Sequence, residues 1–232
     1  MGWKQFFHKT FKENWDAGEP WGDLELYKIT LDGQDYYCAG HASLTPTDWL
    51  YSPKVQHPQG VRTRITVRYI FWCSAGVTGK AGIGIIFFKD GDSCKDPDGY
   101  DIHGVSTIVL EPPAENLADT KEFVVEYDGT NKITLYSDGS KVADVILEVP
   151  LVSFKVAIKI EEASGGGDIG ILIYEVIGEY YDQWEDLINQ IYGIMQWMIP
   201  LMLVMMIIPA IVGIFKGKKK TEEEGKVIVI PG

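Results

Sequence analysis

The sequence predicts an all-β, antiparallel sandwich followed by one transmembrane α-helix. Short apolar stretches with strand-like alternation recur about eleven times from Leu24 onward, separated by clusters of Gly, Asp, Asn and Pro, with no amphipathic helix between them. The 25 glycines and 12% aromatic residues are typical of a turn-rich β-protein. Residues 198–215 form an uncharged run of eighteen residues, long enough to cross a bilayer as a helix.

The first twenty residues form an amphipathic segment that we expect to pack on the sandwich. Its large apolar side chains recur at three- and four-residue steps: Trp3, Phe6, Phe7, Phe11 and Trp15. This spacing fits either a short amphipathic helix or an irregular segment wrapped on the sandwich. The sandwich domain is then assigned to residues 21–180.

Tight turns between apolar stretches predict antiparallel hairpins. Asp32-Gly33 separates LELYKITL from QDYYCA, and Ser137-Asp138-Gly139-Ser140 separates KITLYS from KVADVILEV. Another turn, at residues 127–132, joins KEFVVEY to KITLYS. Together these turns predict a meander of neighbouring strands from residue 122 to residue 148.

This meander resembles the concanavalin A-like lectin/glucanase sandwiches. In that family a strand ends near Tyr-Asp, a turn follows, and the next strand ends in Tyr-x-Asp-Gly. The order matches Glu126-Tyr127-Asp128-Gly129 and Leu135-Tyr136-Ser137-Asp138-Gly139 in this sequence. The strand at residues 169–177 and the run Trp49-Leu50-Tyr51-Ser52-Pro53 also look like parts of such domains. The resemblance covers about residues 5–180 and implies a jelly-roll topology.

The resemblance also implies where catalytic carboxylates would stand, and the sequence lacks them. Glycan hydrolases of this fold carry Glu-x-Asp-x-x-Glu on one strand, which places two carboxylates in the cleft. The nearest match runs from Glu126 to Asn131, with Asn131 in the place of the general acid. Because asparagine has no proton to deliver to a leaving oxygen, we predict that the chain is not an enzyme. Glycoside hydrolase activity is kept as the third alternative.

Aromatic residues near turns are the candidate glycan contacts. Trp49, Tyr51 and Tyr100 could stack on sugar rings, as lectin-like sandwiches do with aromatic side chains in loops. Core packing is the competing explanation for such residues. Trp72 lies inside an apolar strand, and we expect it to be buried.

One acidic loop is a candidate calcium site. Its carboxylates are Asp90, Asp92, Asp96, Asp98 and Asp101. Hard cations bind such clusters of oxygen ligands. An EF-hand loop counted from Asp92 would need an oxygen ligand at Cys94, so that template fails, and solvated turns are the alternative. Calcium is therefore the one cofactor hypothesis.

The candidate membrane anchor has marked ends. Its span at residues 198–215 covers roughly 27 Å at about 1.5 Å per residue. Aromatic side chains crowd the preceding interfacial segment, residues 181–197, and lysines begin the tail, residues 216–232. The anchor residues are Trp197, Met198, Pro200, Met202, Met205, Met206, Pro209, Phe215, Lys216, Lys218, Lys219 and Lys220.

The charges beside the anchor predict its orientation. The lysine cluster after the span places the C-terminus inside and the β domain outside by the positive-inside rule. Lys4, His8, Lys9 and Lys12 interrupt the apolar residues at the start, so no cleavable signal is expected there. Either the anchor directs insertion after synthesis, or the protein assembles on a membrane from the cytoplasmic side, as virion components can.

Charge and cysteine content restrict the partners. The net charge of −12 and the absence of a basic stripe outside Lys216–Lys220 exclude nucleic acid as a partner. Cys38, Cys73 and Cys94 cannot all pair within one chain, so the redox compartment stays open.

These observations favour a non-enzymatic, membrane-anchored β-sandwich that serves as a surface or virion structural protein of spike or capsid-associated type. Its expected partners are the lipid bilayer, further copies of itself or other structural subunits, and a glycan or host receptor. The alternative is a cell-surface carbohydrate-binding, lectin-like module, which rests on the fold and on aromatic loops.

Overall fold

The computed structural model of the protein describes residues 2–88, 108–110, 117–146 and 152–224. The chain divides into two compact units. One unit is Trp3–Tyr181, and its described residues form strands apart from one short helix. The other contains Gly2 and the chain from Asp182 onward, which is helical over most of its described length.

The elements of the first unit follow one another as mostly antiparallel strands. In chain order they are β1 Trp3–Thr10, α1 Lys12–Ala17, β2 Glu25–Leu31, β3 Gln34–Ser43, β4 Leu50–Tyr51, β5 Val55–Gln56, β6 Thr63–Cys73, β7 Thr78–Phe88, β8 Ile108–Leu110, β9 Leu117–Tyr127, β10 Lys132–Ser137, β11 Ser140–Ile146, β12 Ser153–Ser164 and β13 Ile169–Tyr181.

Two antiparallel sheets form the sandwich. The eight-stranded sheet has the order β11-β10-β9-β6-β13-β3-β2, and β1 also pairs with β13; the five-stranded sheet has the order β4-β12-β7-β8, and β5 also pairs with β12. Neighbours such as β6 and β9 are distant in sequence, as in a jelly roll and unlike a simple meander. The predicted all-β, antiparallel sandwich is confirmed.

The core lies between the sheets because alternate residues of the long strands point inward. Strand β7 contributes Ile83, Ile85 and Phe87, and β12 contributes Phe154 and Val156. All five side chains are nearly inaccessible. Burying this apolar surface is the main stabilising contribution to the sandwich, at about 25 cal/mol per Å² removed from water.

The predicted Asp-Gly hairpins are present and have the backbone that such turns require. Asp32 and Gly33 have φ of 50° and 79°, and Asp138 and Gly139 have φ of 47° and 76°. Positive φ at both central residues belongs to a type I′ turn, whose twist matches that of the flanking strands. These turns set the pairing of β2 with β3 and of β10 with β11.

The N-terminal segment resolves into a strand and a short helix. Trp3–Thr10 pairs with β13, with a register shift between Gln5 and Phe7, and the helix at Lys12–Ala17 ends at Gly18 in the left-handed conformation. A bulge of this kind explains why a strand here lacks the strict alternation of apolar residues and has the three- and four-residue spacing that suggested a helix. Phe11 is fully buried in the sandwich core.

The described residues of the second unit form the helix α2, Gln183–Glu224. Its apolar segment Leu187–Phe215 is 29 residues long, and within it an 18-residue stretch has a mean hydropathy of 2.6 and is not buried. By length and composition this is the one helix in the described part of the chain that could cross a membrane. The helix is therefore longer than the predicted span, and Pro200 and Pro209 both lie inside it.

Candidate functional site

The outer side of the eight-stranded sheet carries a second apolar cluster. In β13, Ile171 and Ile173 point into the core, whereas Leu172 packs on the opposite side. We call this surface the aromatic face; its half-buried members Tyr27, Ile29, Leu31, Tyr36, Trp72, Ala118 and Tyr174 surround the buried Cys38, Ile70 and Leu172. An outward sheet surface of this composition is unusual, because such positions are normally polar.

A register shift in β13 shapes the aromatic face. The shift falls between Ile173 and Glu175 in the pairing with β6, and Ile173 and Val176 both remain in the core. Two consecutive residues, Tyr174 and Glu175, therefore leave the core side together, as in a β-bulge. The bulge places a phenol ring beside a carboxylate at this point of the sheet.

A row of ionisable side chains borders the aromatic face. Arg68 donates from Nη1 to Glu175 Oε2 over 2.6 Å and from Nε to Glu122 Oε2 over 3.1 Å. His8 Nε2 lies 2.9 Å from the other oxygen of Glu175. The hydrogen bonds of this row therefore connect the four strands β1, β13, β6 and β9.

Arg68 and Glu175 stabilise each other's charged forms. Hydrogen bonds to Glu122 and then to Glu175 raise the pKa of Arg68. Burial opposes ionisation of Glu175, but hydrogen bonds from His8 and Arg68 outweigh it, so the pKa of Glu175 is lowered. A general acid needs the opposite shift, towards a protonated carboxyl near neutral pH. As arranged here, Glu175 can accept hydrogen bonds but is a poor proton donor.

A cleft opens where the aromatic face meets the N-terminal segment. It has a volume of about 270 Å³, and its lining is Thr10, Phe11, Lys12, Gln34, Asp35, Tyr36, Tyr37, Tyr174 and Glu175. The rings of Tyr36 and Tyr174 meet edge to face, with centroids 5.1 Å apart. Lys28 Nζ lies 5.5 Å from the Tyr37 ring centroid and 2.7 Å from Asp35 Oδ2. Aromatic rings beside an amide and carboxylates can hold a polyhydroxylated ligand by stacking and hydrogen bonding.

The predicted contacts Trp49 and Tyr51 lie on the other sheet. Both are half-buried and pack against Ile86, Phe88 and Ala157 on the outer side of the five-stranded sheet. Lys159 Nζ lies 4.9 Å from the Trp49 ring centroid, and Lys155 Nζ lies 5.6 Å from that of Tyr51. Lysines thus lie over both rings. The third predicted contact, Tyr100, is outside the described residues.

The aromatic face is the feature that sequence reasoning missed. Trp72, expected to be buried, is half-buried and belongs to this face. The alternation Tyr27-x-Ile29-x-Leu31, followed after the turn by Tyr36-x-Cys38, was the available signal, since residues two apart share a side of a strand. Alternation does not tell which side meets the second sheet.

The glycosidase-like match falls on a turn. The Asp128 carboxylate accepts backbone N–H groups of Thr130, Asn131 and Lys132 over 2.8 to 3.0 Å. Burial opposes ionisation of Asp128, but these hydrogen bonds prevail and lower its pKa. Glu126 pairs with Arg62 over 3.2 Å. These side chains hold the β9–β10 turn and its flank.

The predicted calcium ligands Asp90, Asp92, Asp96, Asp98 and Asp101 lie outside the described residues. In the ranges that the structure does describe, no group of three or more His, Cys, Asp or Glu side chains is arranged to hold a metal ion.

The predicted anchor residues belong to α2. Trp197, Met206 and Phe215 are 84%, 72% and 67% exposed. The other predicted anchor side chains up to residue 215 are exposed as well: Met198, Pro200, Met202, Met205 and Pro209. Lys216, Lys218, Lys219 and Lys220 fall within the helix bounds. An apolar helix that is exposed on every side is of the kind that lipid can surround.

No family model and no curated protein matches the chain. Among solved structures, it is similar to a carbohydrate esterase from the Shiga toxin-encoding bacteriophage phi24B, at 10% identity and a TM-score of 0.48, over 78% of this chain and 100% of that one. It is also similar to the catalytic domain of an endo-1,3-β-glucanase (laminarinase) from Thermotoga petrophila, at 12% identity and a TM-score of 0.43, over 78% of this chain and 99% of that one.

A third similar structure is the carbohydrate recognition domain of Emp47p, at 8% identity and a TM-score of 0.41, over 69% of this chain and 89% of that one. The antiparallel sandwich that the sequence resemblance implies is confirmed by the strand order of the two sheets. At these identities the similarity does not extend to activity.

Proposed function

We propose that the protein is a membrane-anchored β-sandwich that acts as a surface or virion structural protein without a catalytic step. One observation carries the proposal: the segment Leu187–Phe215 is long, apolar and exposed on all sides, and it follows a β-sandwich whose own apolar residues are largely buried. Placing such a helix in lipid costs little free energy, whereas exposing its apolar surface to water is strongly unfavourable. The sandwich is then the part presented beside the membrane.

Membrane extraction tests the anchor. The full chain is expressed in bacteria, and the membranes are washed with alkaline carbonate, which removes peripheral proteins. The double variant Met202→Lys/Met206→Lys places two charges in the span, at a cost of about 3 kcal/mol each. We expect the unaltered chain and the matched control Met202→Leu/Met206→Leu to stay in the pellet and the lysine variant to be extracted. Release of the unaltered chain would contradict the anchor.

The expected orientation has a separate measurement. Lysines after the span favour the C-terminus inside and the sandwich outside. Trypsin added to intact spheroplasts should then degrade the sandwich of the full chain. Protection of the sandwich, with cleavage only after lysis, would place it on the cytoplasmic side and favour assembly from that side, as in a membrane-bearing particle.

Attachment to a glycan is a second candidate function, and the cleft beside the aromatic face favours it. Tyr36 and Tyr174 offer ring surfaces, and Gln34, Asp35 and Glu175 offer hydrogen-bonding groups to hydroxyls. The Emp47p structure, to which this chain is similar, is a carbohydrate recognition domain. Trp49, Tyr51 and Tyr100 remain the alternative contacts predicted from the sequence.

A glycan array probed with the full chain in detergent tests this candidate. On any saccharide that binds, Tyr36→Leu should weaken binding by roughly threefold to tenfold, the value of one aromatic contact. Tyr51→Leu is the matched control, since it removes a phenol from the other sheet. If Tyr51→Leu alone weakens binding, the glycan binds at the surface around Trp49 and Tyr51. If no saccharide on the array binds, glycan attachment is contradicted and the structural role is favoured.

A further inference from the structure

The helix α2 carries two carboxamides on one side of its apolar surface. Asn189 and Gln196 are seven residues apart, which is two helical turns, and both side chains are exposed. Gly193 lies between them along the helix, about 40° around the axis from Asn189, and Pro200 continues the stripe one turn after Gln196. We call these four residues the carboxamide stripe. Steps of four, three and four residues keep a stripe facing a packed partner helix, as in a coiled coil.

We propose that the carboxamide stripe packs against the same stripe of a second copy of this chain, forming a membrane dimer. The inference rests on the proposed membrane anchor and goes beyond it by assigning the partner and the contact. A carboxamide has two N–H donors and one carbonyl acceptor, so two identical side chains facing each other satisfy one another. Asn189 and Gln196 lie in the first part of the apolar segment Leu187–Phe215, and carboxamides hydrogen-bond across packed membrane helices.

Pro200 adds an independent reason on the same side of the helix. In an uninterrupted α-helix the N–H of residue 200 would donate to the carbonyl of Gln196, and proline has no N–H. The Gln196 carbonyl is therefore left without its helical donor, directly beside the Gln196 carboxamide. Within a membrane a freed carbonyl is satisfied by a neighbouring helix or by water. A carboxamide N–H from a second copy is a donor of the required kind.

Gly193 permits the approach that these hydrogen bonds need. A Cβ placed on Gly193 would meet no atom within 4 Å, so the space beside it is open. Because glycine has no side chain, two helix backbones can approach closely there, as they do at other small residues in membrane helices. The stripe thus combines a close-approach point with donors and acceptors on either side.

The bulky flexible side chains of α2 lie elsewhere on its circumference. At 100° per residue, Met195, Met198, Met202, Met205 and Met206 all fall at least about 100° from the middle of the carboxamide stripe. Gln190, adjacent in sequence to Asn189, is also turned about 100° away from Asn189. The methionine side is then left to lipid, and Gln190 offers a control with the same chemistry outside the proposed contact.

The test measures self-association of the full chain in density-matched detergent by sedimentation equilibrium. We expect the unaltered chain and Gln190→Leu to form dimers of equal affinity. The double variant Asn189→Leu/Gln196→Leu should raise the dimer dissociation constant about tenfold or more, because several interhelical hydrogen bonds are lost together. Far-ultraviolet circular dichroism should be the same for all three, since leucine is a good helix former.

Two results would overturn the inference. A monomeric unaltered chain would do so, and so would a dimer that the double variant leaves intact, since the contact would then lie outside the stripe. Carbonate extraction of the same preparations separates the two proposals. A chain that stays in membranes but is monomeric contradicts the dimer alone, whereas a chain released from membranes contradicts the anchor and, with it, the membrane dimer.

Discussion

At the scale of single residues, His57 is the most unusual group in the sandwich. It is 4% exposed, and its ring lies 5.5 to 6.1 Å from the rings of Phe6, Phe87 and Tyr127, which belong to both sheets. Its Nε2 lies 2.7 Å from Thr63 Oγ1. Burial lowers the pKa of His57 to about 4 from its usual 6.5, and a hydrogen bond with the Pro58 backbone opposes only part of this shift. The neutral imidazole therefore links the two layers.

This lowered pKa predicts an acid-dependent loss of stability. The unfolded chain binds a proton at His57 near pH 6.5 and the folded chain only near pH 4, so the stabilising contribution is complete above pH 6.5 and falls as pH drops towards 4. Between pH 7.5 and pH 5 the free energy of unfolding should fall by about 2 kcal/mol from this residue.

The measurement is chemical denaturation of the full chain in detergent, followed by tryptophan fluorescence at both pH values. His57→Gln, which does not titrate, should lose about 2 kcal/mol less than the unaltered chain over this interval. His41→Gln, on the half-buried His41 of β3, is the control for removing a histidine. An equal pH response in all three proteins would contradict the assignment to His57.

At the scale of elements, turns were predictable from the sequence because their chemistry is local. Asp32-Gly33 and Asp138-Gly139 required only that Gly and Asp tolerate positive φ, and both hairpins are present. Asp138 adds a non-local contact, since its carboxylate accepts the Glu122 N–H over 2.9 Å. The pairing of strands far apart in sequence, such as β6 with β13, has no comparable local signal.

The candidate site was not predictable in the same way, because it depends on which side of each strand faces the second sheet. The stretch RITVRYIFWC carries Arg64 and Arg68 on one side and is apolar on both sides from Tyr69 onward, so residue type alone does not show whether Trp72 is covered. The register shift before Glu175 reverses the alternation of β13 within one residue. Only the assembled sheet places Trp72, Tyr174 and Glu175 on one surface.

At the scale of the whole molecule, the two units differ in how much of their apolar surface is exposed. In the sandwich, the large apolar side chains exposed among the described residues are Trp15, Val142 and Ile146; all others in this class lie on α2, from Trp184 to Phe215. Scattered exposed residues are normal on a soluble domain, whereas a continuous apolar helix is not. The sandwich and the helix are therefore suited to different solvents.

This contrast predicts that residues 1–182 form a soluble, folded domain without α2. The core cluster lies entirely between Phe11 and Val176, so truncation after Asp182 removes none of its buried side chains. We expect the fragment to be monodisperse without detergent, to show a β-type circular dichroism spectrum, and to unfold cooperatively within a few degrees of the sandwich transition of the full chain in detergent. The full chain without detergent should aggregate through its exposed helix. A fragment that is unfolded or insoluble would show that the sandwich depends on the helix. A full chain that stays dispersed without detergent would contradict the expectation that α2 needs an apolar environment.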